Sequence, residues 1–179
     1  MFKKTKSIKV KDKIFGFIPA RMKASRFPNK PLKKILGIPM IEHVYERSKL
    51  FKKWENLFLT TCDNEIKKFC LNKKIPVIMT SKKHKRCLDR VYEAASKIKN
   101  IKENDIVVCV QGDEPMMQTQ MIQNVLKPIY KNKKISATVL AMDIVDENQF
   151  KDKNAVKIVH KNSGEVLYTS RTPIPYTEN

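Results

Sequence analysis

The chain lacks any apolar run near the roughly 18 residues that a membrane-spanning helix needs, so no membrane partner is expected. Its N-terminus, MFKKTKSIKVKDK, is basic, but no signal-type apolar stretch follows before the polar loop at Arg21. Only four glycines occur among 179 residues, with no internal repeat or low-complexity tract. The four cysteines, Cys62, Cys70, Cys87 and Cys109, have no C-x-x-C or other paired spacing. That argues against a zinc site or a disulfide framework and for a reducing, cytoplasmic compartment. Cys62, Cys70 and Cys109 lie in or beside apolar segments and read as small buried hydrophobes, whereas Cys87 falls in a loop.

Acidic residues are scarce as well: 18 Asp+Glu face 37 Lys+Arg, for a net charge of +19. Such a chain attracts polyanions, nucleic acid first among them. Lysine is spread along the whole sequence, however, and no aromatics interleave with it as a base-stacking surface requires. The charge therefore reads as solvated lysine faces or as a preference for a small anionic substrate. A basic nucleic-acid-binding protein is the competing reading from another class. With 41% hydrophobic residues the chain can bury a core, and residues 1–179 read as one domain with a basic N-terminal segment at 1–13.

Apolar runs alternate with amphipathic segments. Ile14–Ile18 reads as a buried strand, followed by a polar loop and a helix with Met40, Val44, Tyr45 and Ser48 on one face. Leu57–Thr61 is a second strand, and Asp63 is placed to cap a helix that carries Ile66, Phe69 and Cys70. Ile75–Met79 is a third strand, with Pro76 marking an edge or a strand start. Leu88, Val91, Tyr92, Ala95 and Ile98 give an amphipathic helix, and Ile106–Val110 the most convincing buried strand. Met121, Ile122, Val125, Leu126 and Ile129 form a further helical face. Then the rhythm changes: 136–142, 155–160 and 166–169 look extended, with an Asn162-Ser163-Gly164 turn between the last two. These elements predict an α/β fold, a mostly parallel sheet flanked by helices, with a β-rich extension over 135–179.

In such sheets ligands bind beyond the carboxyl ends of the strands. Two loops leave predicted strands at that edge. The first carries Arg21, Lys23, Arg26 and Lys30, with Ser25 between and Pro28 and Pro31 stiffening it. Several closely spaced cations suit a triphosphate, although the Gly-Lys-Ser/Thr of a P-loop is missing. The second reads Gln111-Gly112-Asp113-Glu114-Pro115. A carboxylate at the end of an apolar strand suits Mg²⁺, and Asp113 is the better ligand candidate, with Gln111 a hydrogen-bonding group for substrate. Taken alone, Gly-Asp is also an ordinary turn.

In order along the chain, Ile18-Pro19-Ala20-Arg21, Ser25-Arg26-Phe27-Pro28-Asn29-Lys30-Pro31-Leu32 and Gly37-Ile38-Pro39-Met40-Ile41-Glu42-His43-Val44 carry a pattern. It continues through Thr61-Cys62-Asp63, His84 to Arg90, Val110 to Met116, Asn154-Ala155-Val156-Lys157 and Tyr168 to Pro175. Together these segments resemble the sugar cytidylyltransferases, most of all those acting on 3-deoxy-manno-octulosonate (Kdo). The resemblance implies a Rossmann-like nucleotidyltransferase fold and the reaction CTP + Kdo → CMP-Kdo + pyrophosphate, a step toward lipopolysaccharide. It implies that Arg21 and Lys30 hold the phosphates of CTP, with Arg26 in support, Ala20, Ser25 and Asp89 also at the nucleotide, and the loop from His84 to Arg90 lying near it. Asp113 would bind Mg²⁺, and Gln111 and Arg171 would contact the sugar acid. Lys30, Asp113 and Arg21 would carry the catalysis. A homodimer is implied, with 135–179 as the dimerisation and sugar-binding part.

The match departs from the family in three places. Arg86-Cys87-Leu88 stands where the family usually has Ser-Gly-Thr ahead of Asp89-Arg90, which keeps a related acidic sugar open, an 8-amino-Kdo or a nonulosonate. Ala24 replaces a usual Ser and Asn29 a usual Gly; Asn accepts left-handed backbone, so that exchange is mild. The chain stops at Asn179 where the family continues, and on this reading it is a truncated member, either competent or inactive.

Overall fold

The computed structural model describes residues 12–23 and 27–175. Its elements begin with β1 (Ile14–Pro19), a small hairpin of β2 (Lys34–Ile35) and β3 (Ile38–Pro39), and α1 (Met40–Lys49). They continue through β4 (Asn56–Thr61), α2 (Asn64–Asn72), β5 (Val77–Met79), α3 (Cys87–Ser96), β6 (Ile106–Cys109) and α4 (Thr119–Lys131). Last come α5 (Glu147–Lys151), β7 (Lys157–His160) and β8 (Val166–Ser170). The chain divides into two compact units, residues 1–124 and 125–179, with the division inside α4.

The first unit is built on a four-stranded parallel sheet in the order β5-β4-β1-β6. β1 takes a central place because IFGFIP is apolar on both sides, and all six of its residues are buried. On one face Phe15 and Phe17 pack with Val91 and Ala94 of α3, and the Phe17 ring stacks on Phe58 with centroids 5.7 Å apart. α1 buries Met40, Ile41, Val44, Tyr45 and Ser48, as its spacing predicts. β5 is an edge strand, and the residue before it, Pro76, contributes only its carbonyl, which accepts from Leu59 N–H at 2.9 Å.

Three expectations need correction. In α3 the inward stripe is Arg90, Val91 and Ala94, while Leu88 and Tyr92 are 63% and 78% exposed. The small Ala94 lets the helix approach Phe15 and Phe17, where a tyrosine ring would hold it away. The strand at 106–110 is an edge in the described sheet rather than covered on both faces: Ile106 and Val108 point inward, and Val107 is exposed. On α4, Ile122 and Leu126 are buried but Met121 faces out.

In the second unit β7 and β8 pair antiparallel, from Lys157 opposite Ser170 to His160 opposite Val166. Gly164 sits at φ 86 in the connection, and its N–H donates to Lys161 O at 2.8 Å, so the Asn-Ser-Gly turn is where it was expected. Asp146 caps α5 by accepting from Gln149 N–H at 2.8 Å. Residues 136–142, expected as a strand, have no ladder partner among the described residues and form no strand, since β propensity without a neighbouring backbone makes no sheet.

Phe17 is fully buried at the centre of the first unit. Phe17→Ala should lower the unfolding free energy by about 3–5 kcal/mol in urea titrations followed by circular dichroism. A loss under about 1 kcal/mol contradicts this packing.

Candidate active site

β1 runs out of the sheet at Ala20, whose N–H donates to Thr60 O at 2.9 Å. Arg21 follows at the surface, and Met22 N–H donates to Asp63 Oδ2 at 2.8 Å. Asp63 does occupy the N-cap position of α2, but its side chain makes no cap bond. The carboxylate expected to finish the helix instead ties down a loop 41 residues earlier, and Cys62 Sγ donates to the same oxygen at 3.6 Å. Ser25 and Arg26 lie outside the described residues. The loop closes where Asn29 N–H donates to Met22 O at 3.1 Å, with Asn29 left-handed at φ 59, the conformation expected of an Asn in a glycine's place. A short 3₁₀ turn, Lys30–Leu32, then anchors the loop through buried Pro31.

The second loop leaves β6 just after Val110 N–H donates to Phe17 O at 2.9 Å. It then passes so near the end of β1 that a Cβ on Gly112 would lie 2.2 Å from Pro19 O. No side chain fits there. Gln111 and Asp113 flank this crossing point, and Glu114 N–H closes the turn on Gln111 O at 3.3 Å.

The two loops meet. Lys30 Nζ donates to Asp113 Oδ2 at 3.0 Å, across 83 residues of sequence. They border a cleft of about 610 Å³ whose walls include Ala20, Arg21, Lys30, Gln111 and Asp113. Five of the expected site residues are therefore brought together. The structure does not bring Asp89 into this cleft: it sits on the exposed first turn of α3, where its charge complements the helix dipole. Arg171 belongs to the second unit, exposed, with Nη1 donating to Lys153 O and Asn154 O at 3.2 and 3.3 Å.

The remaining wall comes from His84, Lys85, Arg86, Cys87 and Arg90, joined by Phe27 and Met40. With Arg21, Lys30, Lys85, Arg86 and Arg90 against Asp113 alone, the lining is strongly cationic. Arg90 is 3% exposed; Nη1 donates to Thr80 Oγ1, whose own hydroxyl donates to Thr61 O at 3.1 Å. Among the described residues this buried guanidinium has no carboxylate partner, a costly state that a bound anion relieves. Arg90 ends the His84–Arg90 loop that the resemblance puts near the nucleotide; its burial is what the sequence did not single out.

Glu93 fixes the approach to this wall. It accepts from Lys97 Nζ at 2.7 Å, from Ser81 N–H at 2.8 Å and from His84 Nε2. The Lys97 bond first, then those from Ser81 and His84, hold its carboxyl at about 2, well below the ordinary 4.5. Behind the wall, burial first and then the hydrogen-bonded Cys87 push the Cys109 thiol up to about 12, so it stays protonated, as a small apolar group does.

Residues 15–179 match the family model described as Cytidylyltransferase. The chain belongs to the cytidylyltransferase family. It is 40% identical over 163 residues to the 3-deoxy-manno-octulosonate cytidylyltransferase of Thermodesulfovibrio yellowstonii, covering 89% of this chain and 64% of the relative. It is 38% identical over 160 residues to the 8-amino-3,8-dideoxy-manno-octulosonate cytidylyltransferase of Shewanella pealeana, covering 89% and 65%. This cytidylyltransferase chain thus spans just under two thirds of the length of these curated relatives. Among solved structures it is similar to a CMP:2-keto-3-deoxy-manno-octonic acid synthetase complexed with CTP, at 31% identity and a TM-score of 0.78, covering 94% of this chain and 68% of that one. The Rossmann-like nucleotidyltransferase fold expected from the sequence is the one observed.

Two tests follow from the geometry. Gly112→Ala should cost about 1–3 kcal/mol of stability and weaken triphosphate binding, because the loop must lift off Pro19. Unchanged thermal melting and CTP titration contradict the close approach. Because the folded Glu93 is the more acidic state, its contribution is complete above about pH 4.5 and fades as pH falls toward 2. Melting temperatures measured across that window should drop less steeply in Glu93→Gln than in the unmodified chain; parallel curves remove Glu93 from the acid transition.

Proposed function

We propose that this chain carries the nucleotide site of a cytidylyltransferase that transfers CMP from CTP to Kdo and releases pyrophosphate. The observation that carries this reading is the meeting of Lys30 and Asp113 at 3.0 Å on the rim of a cleft lined by five cationic side chains. Arg21 and Lys30 hold the triphosphate, and Arg90 meets its charge from the buried side. Gln111 is a hydrogen-bonding group for the sugar acid, and Arg171 carries a guanidinium that suits its carboxylate. Ala20 lies buried at the foot of the first loop, where its small side chain leaves room for the nucleotide.

The anomeric hydroxyl of the sugar attacks the α-phosphorus while pyrophosphate leaves in line. Positioning and fixed positive charge supply most of what the protein contributes. Among the described residues no three His, Cys, Asp or Glu side chains gather to hold a metal by themselves. Asp113 offers one hard oxygen ligand, and that donor suits Mg²⁺, which takes its other oxygens from phosphate and water. When bound there, Mg²⁺ neutralises charge on the phosphates.

Four free cysteines support a reducing, cytoplasmic location, and no helix among the described residues is long and apolar enough to cross a membrane. Exposed Val139, Met142 and Val145 in the second unit support a homodimer.

Pyrophosphate release should appear with CTP, Mg²⁺ and Kdo, and a panel including the 8-amino sugar and nonulosonates decides the acceptor. Asp113→Ala should reduce turnover by about 100-fold or more with an unchanged circular dichroism spectrum. Lys30→Ala should weaken CTP binding more than CMP binding. Salt-sensitive DNA or RNA binding without saturable CTP binding overturns the reading in favour of a nucleic-acid protein.

A further inference from the structure

Lys157 is a buried ammonium, 3% exposed, in β7 of the second unit. An ammonium carries three donors, and burying one is costly unless all three are met. All three are met by backbone: Nζ donates to Ala155 O and Arg171 O, each at 3.0 Å, and to Asp152 O. No carboxylate pairs with it among the described residues. A neutral side chain could staple a hairpin without a buried charge, so the choice of an ammonium with three divergent donors calls for another account.

The three acceptors share one neighbour. Lys157 grips the backbone of Arg171 through the Arg171 carbonyl, one residue beyond its sheet partner Ser170. It also grips both ends of the 152–155 turn, itself closed by Ala155 N–H to Asp152 O at 3.1 Å. The two carbonyls inside that turn, Lys153 O and Asn154 O, are the ones that accept from Arg171 Nη1. One buried charge therefore fixes Arg171 at its root and at its tip. With Nη1 committed to these two carbonyls, the Nε–Nη2 edge is left, the edge that matches a planar carboxylate bidentately.

We infer that Lys157 is a positioning residue that presents the Nε–Nη2 edge of Arg171 to the carboxylate of the acceptor sugar. The inference rests on the reading above that Arg171 takes that carboxylate. Lys157 touches no substrate; it acts through Arg171.

The test uses the whole chain and two readouts. In phenylglyoxal labelling followed by mass spectrometry, wild-type Arg171 should react more slowly than exposed Arg86, and Lys157→Met should speed Arg171 about fivefold without changing Arg86. In the pyrophosphate assay the same variant should raise KM for the sugar acid about tenfold and leave KM for CTP unchanged. In an Arg171→Ala background it should add nothing. Lys157→Gln keeps two donors, should fall between wild type and Met, and serves where the Met variant does not fold. Equal labelling of Arg171 and Arg86 in wild type, an unchanged Arg171 rate in the variants, a matched rise in both KM values, or additivity with Arg171→Ala overturns the inference. If wild type releases no pyrophosphate, the functional reading fails and the labelling alone decides the role of Lys157.

Discussion

The site depends on one backbone crossing. β1 and β6 are parallel neighbours, so their following loops start from the same end of the sheet. Parallel pairing alone leaves those loops free to diverge. They do not, because Gly112 passes over the end of β1 with only a hydrogen where a Cβ would lie 2.2 Å from Pro19 O. That approach places Gln111 and Asp113 on either side of the crossing and brings Asp113 within reach of a lysine from the other loop.

The Lys30–Asp113 pair is a consequence of this geometry and does not sustain it. Its side chains are 35% and 54% exposed, and exposed ion pairs contribute about 0–1 kcal/mol. The first loop is held elsewhere, by Met22 on Asp63, by Asn29 on Met22 and by buried Pro31. Both charged groups can therefore exchange partners without unfolding their loops. That freedom is what a site requires if an ammonium is to turn to phosphate and a carboxylate to a divalent ion.

The strand–helix alternation of the first unit was legible because its signal is local: IFGFIP and NLFLTT are apolar runs of strand length, and α1 keeps its buried spacing. The meeting of Lys30 with Asp113 was legible too, since strand polarity brings those loops to one edge. What escaped was set by tertiary choice. Leu88 and Tyr92 are as apolar as Val91 and Ala94, and only the closeness of Phe15 and Phe17 selects the smaller stripe. Asp63 has the residue type and position of a helix cap, but a distant amide claims its carboxylate. Residues 136–142 have strand composition without a neighbour to pair with. Arg90 was legible as the end of a loop near the nucleotide, but its burial without a carboxylate partner appears only once Thr80 and the cleft are in place.

The net charge of +19 does not by itself explain selectivity for an anion. At physiological ionic strength charges beyond about 8 Å are largely screened, so lysines scattered over the surface favour every polyanion weakly and none in particular. The cleft differs because its cations converge and one of them is dry. Arg90 cannot draw on solvent, so an anion reaching it gains more than at an exposed lysine. Lys85 and Arg86 add charge to the same wall, and Glu93 braces that wall by holding Ser81 and His84. A convergent and partly desolvated set of cations favours charge concentrated on one small ligand, and a triphosphate concentrates it better than an extended nucleic-acid backbone, which presents one charge per nucleotide.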